Sequence, residues 1–384
     1  MEDNLLASKQ VSKQARNSSI ELLKILAIIL IVFSHGMPNG AKELNNCVID
    51  LDFADNIQYY IIQIFSNFGQ IGNDIFLVCS FWFLSNSDSV RTEKISNLVS
   101  DAVFVSIASF CIWSLLGYRF SMNYVIKQFF PVIFGNSWFL SCYLLMYLIH
   151  PMFNIYLNKI SKRAHFNLCL VLLCLYSGVY FVLRNSGAFY NELIGFFVIY
   201  VTTAYVKKYS MKKLISHWTV LFGAGVLSWL CLNALSNVVG KIVGNGITMR
   251  WNIFINPCFI LISFGLLGLS LSEPVTNKWI NYLSSLSLLI YIIHTNRIVR
   301  DYVRFDFFNF IYNTYTYEYI LLWVIVFAII SLIYGLLLSV LYDKTIRNVI
   351  HRFFYTLFFK ISAPLSSVFG KLEFMISDKV EEEG

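Results

Sequence analysis

The chain has 384 residues, of which 57% are hydrophobic and only 13% charged. Soluble domains average about 25% charged residues, so this composition excludes an ordinary soluble protein and implies one that lives in lipid. The formal net charge of +7 is spread over short loops and not stacked in one arm, which argues against a nucleic-acid partner.

A helix that crosses a bilayer needs about 20 apolar residues. Ten runs approach that length: 20–37, 60–84, 97–117, 133–156, 166–183, 189–206, 217–236, 252–271, 280–296 and 319–342. The expected fold is all-α, a polytopic membrane helix bundle of about ten transmembrane helices. Residues 1–19 read as a cytoplasmic N-terminal segment, 20–342 as the membrane domain and 343–384 as a cytoplasmic tail. With the N-terminus inside, nineteen of the 29 Lys and Arg fall on inner segments and nine on outer ones. The positive-inside rule then puts both termini in the cytoplasm of a multi-pass cell-membrane protein. The polar lead is long and no small-residue cleavage site follows the first run, so that run is expected to remain as a helix.

The first run, Ser19-IELLKILAIILIVFSH-Gly36, carries the most informative pair. Lys24 and His35 are eleven residues apart, about three turns, so they share a face roughly 16 Å apart along the axis. An ionisable group in a membrane helix costs roughly 2.5–3.5 kcal/mol on insertion scales, which makes it a functional candidate. Lys24 either snorkels to headgroups or binds phosphate at the mouth of a cavity. Ser18-x-x-Glu21 fits a capping box, and Glu21 alternatively pairs with Lys24. His35 is a helix–helix hydrogen-bonding residue or a base or nucleophile, since an imidazole can take a proton from a hydroxyl at neutral pH.

The second run contains Phe68-GQIGND-Ile75, the most polar stretch at membrane depth. Its glycines allow helix breakage or close helix approach. Asp74 needs a partner there, and His35 or Lys24 are candidates. In the fourth run Trp138 and Tyr143 suit a boundary belt, and His150-Pro151 would kink its inner half. His294, in Tyr291-IIHTN, closes the ninth run at a depth similar to His35. The three arginines of 297–318 form a solvated rim with Asp301 and Asp306, or a patch for an anionic lipid or glycan carrier. The segment 351–361 is basic and aromatic, as suits a membrane surface. Seven of the eight cysteines lie in apolar runs and read as small buried hydrophobes; Cys47 is in a polar loop, and no metal site is indicated. Walker A, G-x-G-x-x-G, H-E-x-x-H and G-x-S-x-G patterns are missing.

Together these residues resemble the acyltransferase type 3 family of membrane O-acyltransferases. The carriers are Glu21-LLK with His35, Gly69-QIGNDIFLVCSFWFLS-Asn86, Asn136-SWFLSCYLLMYLIHPMFN-Ile155 and Leu283-SSLSLLIYIIHTN-Arg297. Two departures are visible. Ser80-Phe-Trp82 stands where the family commonly has Ser-Gly, and only Arg91 and Lys94 represent its paired arginines. The resemblance implies transfer of an acyl group, usually acetyl from acetyl-CoA, to a hydroxyl of a surface glycan or a lipid-linked glycan, with acetyl-CoA a substrate and no bound cofactor. His35 would then be the base or the acyl carrier, with Asp74 and Glu21 as further catalytic candidates. Lys24, Arg16, Arg91 and Lys94 would hold the donor, and Trp138, Tyr143 and His294 would face the acceptor. A transporter or flippase for lipid-linked sugars and a glycan polymerase are the competing readings. The first predicts repeated hydropathy halves, and the second a large outer loop bearing catalytic side chains; neither feature is present in the sequence.

Overall fold

The computed structural model describes residues 17–35, 57–134, 137–179, 192–243, 255–304, 306–307, 310, 314 and 319–357. Arg16, Cys47 and the stretch 358–384 lie outside them. Within them the protein is helical, and no strand occurs. The helices are α1 (Ser18–His35), α2 (Ile57–Leu84), α3 (Thr92–Leu115), α4 (Met122–Phe129), α5 (Trp138–Lys159) and α6 (Lys162–Leu172, extended by a π-turn Leu173–Val179). They continue with α7 (Glu192–Tyr205, followed by a π-turn Val206–Ser210), α8 (Met211–Ser216), α9 (Trp218–Val243), α10 (Pro257–Ser272), α11 (Lys278–His294) and α12 (Ile320–Thr345).

Each of the ten apolar runs coincides with a helix among the described residues. Five of these, α1, α3, α5, α9 and α12, are long and apolar enough to cross a membrane, and α10 is a shorter apolar helix. Large apolar side chains such as Leu115 and Leu337 point outward, as a bundle solvated by lipid requires. The cysteines divide accordingly. Cys79, Cys169 and Cys258 are buried, but Cys111, Cys174 and Cys231 are exposed, which corrects the uniform expectation of burial.

α1 is the hub and touches α2, α10, α11 and α12. The glycines of α2 are there for close approach, and the helix runs unbroken through them. A Cβ on Gly72 would lie 2.6 Å from the Ala27 carbonyl oxygen, and one on Gly69 2.5 Å from Ser34 Oγ. Ser34 Oγ donates to the Ser66 carbonyl at 3.0 Å across the same seam. At the start of α1 the capping role falls to Asn17, whose Oδ1 accepts from Ser19 N at 3.0 Å. Ser18, expected to cap, instead donates to Asn281 Oδ1 at 2.8 Å and accepts from Asn277 N at 2.7 Å, fastening α1 to the start of α11.

α5 continues through Pro151. Proline has no N–H, so the Tyr147 carbonyl four residues earlier loses its helical donor. His150 Nδ1–H replaces it at 2.6 Å, giving this histidine a local structural role. Asn154 Nδ2 donates to the Leu84 and Ser87 carbonyls, each at 2.9 Å, and Lys207 donates to the Trp82 carbonyl. These side chains add donors to carbonyls at and just beyond the C-terminal end of α2, beside the Ser87 N–H on Leu84 and the Ser85 hydroxyl on Trp82. Fully buried Phe81, Phe196 and Tyr200, with Phe139, pack α2, α5 and α7 together through edge-on ring contacts.

Candidate active site

The C-terminal ends of α1 and α11 meet, and each ends in histidine. His35 Nδ1 and His294 Nε2 are 2.8 Å apart, and the rings are 5.0 Å apart between centroids. The other nitrogen of His294 fixes the tautomers. Its Nδ1 lies 3.1 Å from the Ile290 carbonyl oxygen, which can only accept, so Nδ1 carries hydrogen. With both rings neutral, His294 Nε2 is then the acceptor and His35 Nδ1–H the donor. The lone pair of His35 consequently sits on Nε2. A backbone carbonyl thus orients one imidazole, which orients the next and leaves a basic nitrogen at its end.

The pair lines a cavity of about 270 Å³ with Val32, Ser137, Trp138, Tyr291, Thr295, Val299, Arg304, Phe327 and Ser331. Arg304, 7% exposed, donates from Nη1 to the His35 carbonyl at 2.7 Å and so pins the end of α1. Among the described lining residues none is acidic. Trp138 lines this cavity, its ring 5.8 Å from that of Phe139. His294, expected on the acceptor side, is the direct partner of His35 and lines the same cavity. Arg304 was legible only as one of three arginines in a loop; nothing in the sequence marked it as the one that turns inward.

A second polar cluster occupies the other end of α1. Lys24 Nζ is 3.4 Å from Glu21 Oε1 and 5.2 Å from the centre of the Phe83 ring. Glu21 is 2% exposed and also accepts from Ser284 Oγ. The pairing reading therefore holds for Glu21, and its expected catalytic place does not. Fourteen residues, about 21 Å of helix, separate it from His35. Lys94 Nζ donates to Tyr143 Oη at 3.3 Å and sits 4.4 Å from the Tyr147 ring centre. Tyr143 thus belongs with the lysines and not on the acceptor side with Trp138. Arg91 and Lys94 line a 450 Å³ pocket with Asn97, Asp101, Arg347 and His351. There Asp101 accepts from Arg347 Nη2 at 2.7 Å and is 2.8 Å from His351 Nε2, tying residues 347–357 to α3. Beyond α7, burial pushes the Lys207 ammonium down to about 8.

Asp74 is fully buried, and neither carboxylate oxygen has a hydrogen-bond partner among the described residues. Its expected bond to His35 or Lys24 is absent; His294 occupies that role at His35, and Glu21 at Lys24. The expected pairing of the outer arginines with Asp306 is likewise replaced. Asp306 accepts from Tyr118 Oη at 2.6 Å, and Arg297 stacks 5.1 Å from the Tyr124 ring centre. No group of three His, Cys, Asp or Glu arranged to hold a metal occurs among the described residues.

The described residues thus form an apolar helix bundle with an oriented pair of imidazoles beside a cavity. Its family is the acyltransferases: a family model described as an acyltransferase domain matches residues 17–344. The chain belongs to the acyltransferase type 3 family, as its four motif segments implied. No curated protein and no solved structure matches it.

Proposed function

We propose that this membrane acyltransferase moves an acetyl group from acetyl-CoA to a hydroxyl of a cell-surface or capsular polysaccharide, or of its lipid-linked precursor. The observation that carries the reading is the Ile290 carbonyl–His294–His35 chain at the cavity wall. In the proposed reaction His35 Nε2 takes the proton of the acceptor hydroxyl. The freed oxygen attacks the thioester carbonyl carbon, the C–S bond breaks, and the departing thiolate takes the proton back from His35 Nε2–H. While His35 is doubly protonated, its Nδ1–H bond to His294 becomes charge-assisted and shorter-lived charge is held in place. The Trp138 indole and the Ser137 hydroxyl also line the cavity, and in this reaction they would donate to the carbonyl oxygen as it gains charge.

The donor's nucleotide would enter from the cytoplasm, against Arg91 and Lys94 in the 450 Å³ pocket. Tyr143 accepts from Lys94 of that pocket at 3.3 Å. Along α5 only five residues, about 7.5 Å of helix, separate Tyr143 from Trp138. The thin pantetheine arm would bridge the lysine cluster and His35, leaving the glycan on the far side of the membrane. Both termini would then be cytoplasmic and the protein multi-pass.

The experiment is His35→Ala in the host, with the acetyl content of purified surface glycan read by NMR. O-acetyl signals are expected to vanish while the variant still inserts in the membrane, because a small neutral residue is easier to insert. Wild-type acetyl content in that variant overturns the assignment. The transporter and polymerase readings give way to the family assignment.

A further inference from the structure

One sizeable pocket has no place in acyl transfer. It has a volume of about 530 Å³ and lies between the C-terminal ends of α2, α5 and α7 and the starts of α6 and α8. It shares no described lining residue with the pocket of Arg91 and Lys94. The loop after α2 separates the two: Asp88 lines one and Arg91 the other. Two ammonium groups stand on the wall, the partly buried Lys207 and the exposed Lys208. Among the described residues neither forms an ion pair with a carboxylate, Asp88 included. Lys207 donates to the Trp82 carbonyl, and Lys208 to the Leu157 carbonyl at 3.4 Å and to Asn158 Oδ1 at 3.2 Å. An ammonium has three donors, so both lysines keep capacity for an anion. Burial without a neighbouring acid pushes Lys207 down to about 8, a cost that an anion in the pocket would offset.

The pocket asks for more than an anion. His165, fully buried, also lines it. Its Nε2 is 3.0 Å from the Val201 carbonyl oxygen, which can only accept, so Nε2 carries hydrogen. Its Nδ1 is buried with no hydrogen-bond partner. In the neutral ring that nitrogen is an acceptor, and a buried acceptor left without a donor costs free energy. Asp88 is a second acceptor on the same wall. We propose that this pocket binds a phosphate ester that also carries a hydroxyl or an amine. The phosphate oxygens lie on Lys207 and Lys208, and the hydroxyl or amine donates to His165 Nδ1 and Asp88. A membrane-lipid headgroup and a soluble phosphate ester share this chemistry. The site stands apart from the acyl-transfer reading and does not depend on it.

Reductive methylation of lysines in the full-length protein tests it, read residue by residue by fragment mass spectrometry with Lys94 as the internal reference. In detergent the probes are sn-glycerol 3-phosphate, inorganic phosphate, glycerol and coenzyme A. In lipid nanodiscs phosphatidylglycerol, whose headgroup has hydroxyls, is compared with phosphatidylcholine, whose headgroup has no O–H or N–H. A site about four-fifths filled slows the reaction of Lys207 about fivefold. That slowing is expected with glycerol 3-phosphate for a soluble ligand, or with phosphatidylglycerol over phosphatidylcholine for a lipid. Glycerol should have no effect, and inorganic phosphate should need at least about threefold more. Lys208→Gln, at an exposed position that folding tolerates, should raise the half-protecting concentration at least about fivefold. No slowing in either arm overturns the proposal. So does an unchanged half-protecting concentration in Lys208→Gln. Inorganic phosphate equal to glycerol 3-phosphate, together with equal effects of the two lipids, removes the hydrogen-donor requirement and overturns it as well. Coenzyme A slowing Lys207 and Lys94 in step would make the pocket part of the donor site and overturn its separate identity.

Discussion

The His35–His294 contact makes a quantitative prediction. His294→Phe keeps a ring of similar size between α1 and α11 but removes the acceptor for His35 Nδ1–H, now 2.8 Å away. Two effects follow. The doubly protonated His35 loses a charge-assisted hydrogen bond, worth about 1.5–3 kcal/mol. The neutral ring is also released to place its hydrogen on Nε2, the nitrogen that must be bare to act as base. At about 1.4 kcal/mol per tenfold, the first effect alone lowers kcat by about 10- to 100-fold. Because His294 meets the substrate through His35, KM for either substrate should change little. His294→Gln, which can still accept a hydrogen bond, should recover part of the loss. The assay is acetyl-CoA-dependent thiol release with the glycan acceptor, using purified protein in detergent. A His294→Phe enzyme with kcat within twofold of wild type would show that the second imidazole is packing only.

Other substitutions separate the remaining roles. Lys24→Met should raise KM for acetyl-CoA more than KM for the glycan, and it leaves the buried Glu21 with one partner fewer; a donor KM unchanged in steady-state kinetics counts against the phosphate role. Asp74→Asn should keep activity within about twofold, because the carboxyl holds neither His35 nor Lys24; a collapse of kcat would show that it reaches the site in a way this geometry lacks. Gly72→Ala should destabilise by about 1–3 kcal/mol, read as a lowered Tm in detergent, since its Cβ meets backbone at 2.6 Å. Gly223→Ala, which meets nothing within 4 Å, should be neutral or slightly stabilising. Asp101→Ala should cost about 1–3 kcal/mol by removing the acceptor shared by Arg347, His351 and Tyr342, with Asp343 still on Arg347, and limited proteolysis should then cut within 347–357.

How these helices came to be foreseen is easily traced. The ten runs of apolar residues placed ten of these helices to within about seven residues, because burying a backbone in lipid leaves no other way to satisfy its hydrogen bonds; the short α4 and α8 lie outside any run. The spacing of Glu21, Lys24 and His35 gave their order along α1, and equal depth in two helices running the same way brought His35 and His294 to one level. Distances along an axis follow from 1.5 Å per residue and need no partner. Asp74 and Tyr143 show the limit. Which neighbour each one faces depends on how the helix is rotated about its axis.

That rotation is a property of packing. Gly72 against Ala27 and Gly69 against Ser34 set how α2 lies on α1, and this contact turns Asp74 away from both of its expected partners. The inward path of Arg304 is decided by the carbonyl of His35 at the end of a different helix, 269 residues earlier in the chain. The sequence by itself determined an apolar helix bundle, its family and the order of the ionisable groups along each helix, since those rest on composition and local spacing. Only the tertiary structure decided that two imidazoles and one guanidinium share a wall, because contacts between distant segments are fixed when surfaces fit and not before.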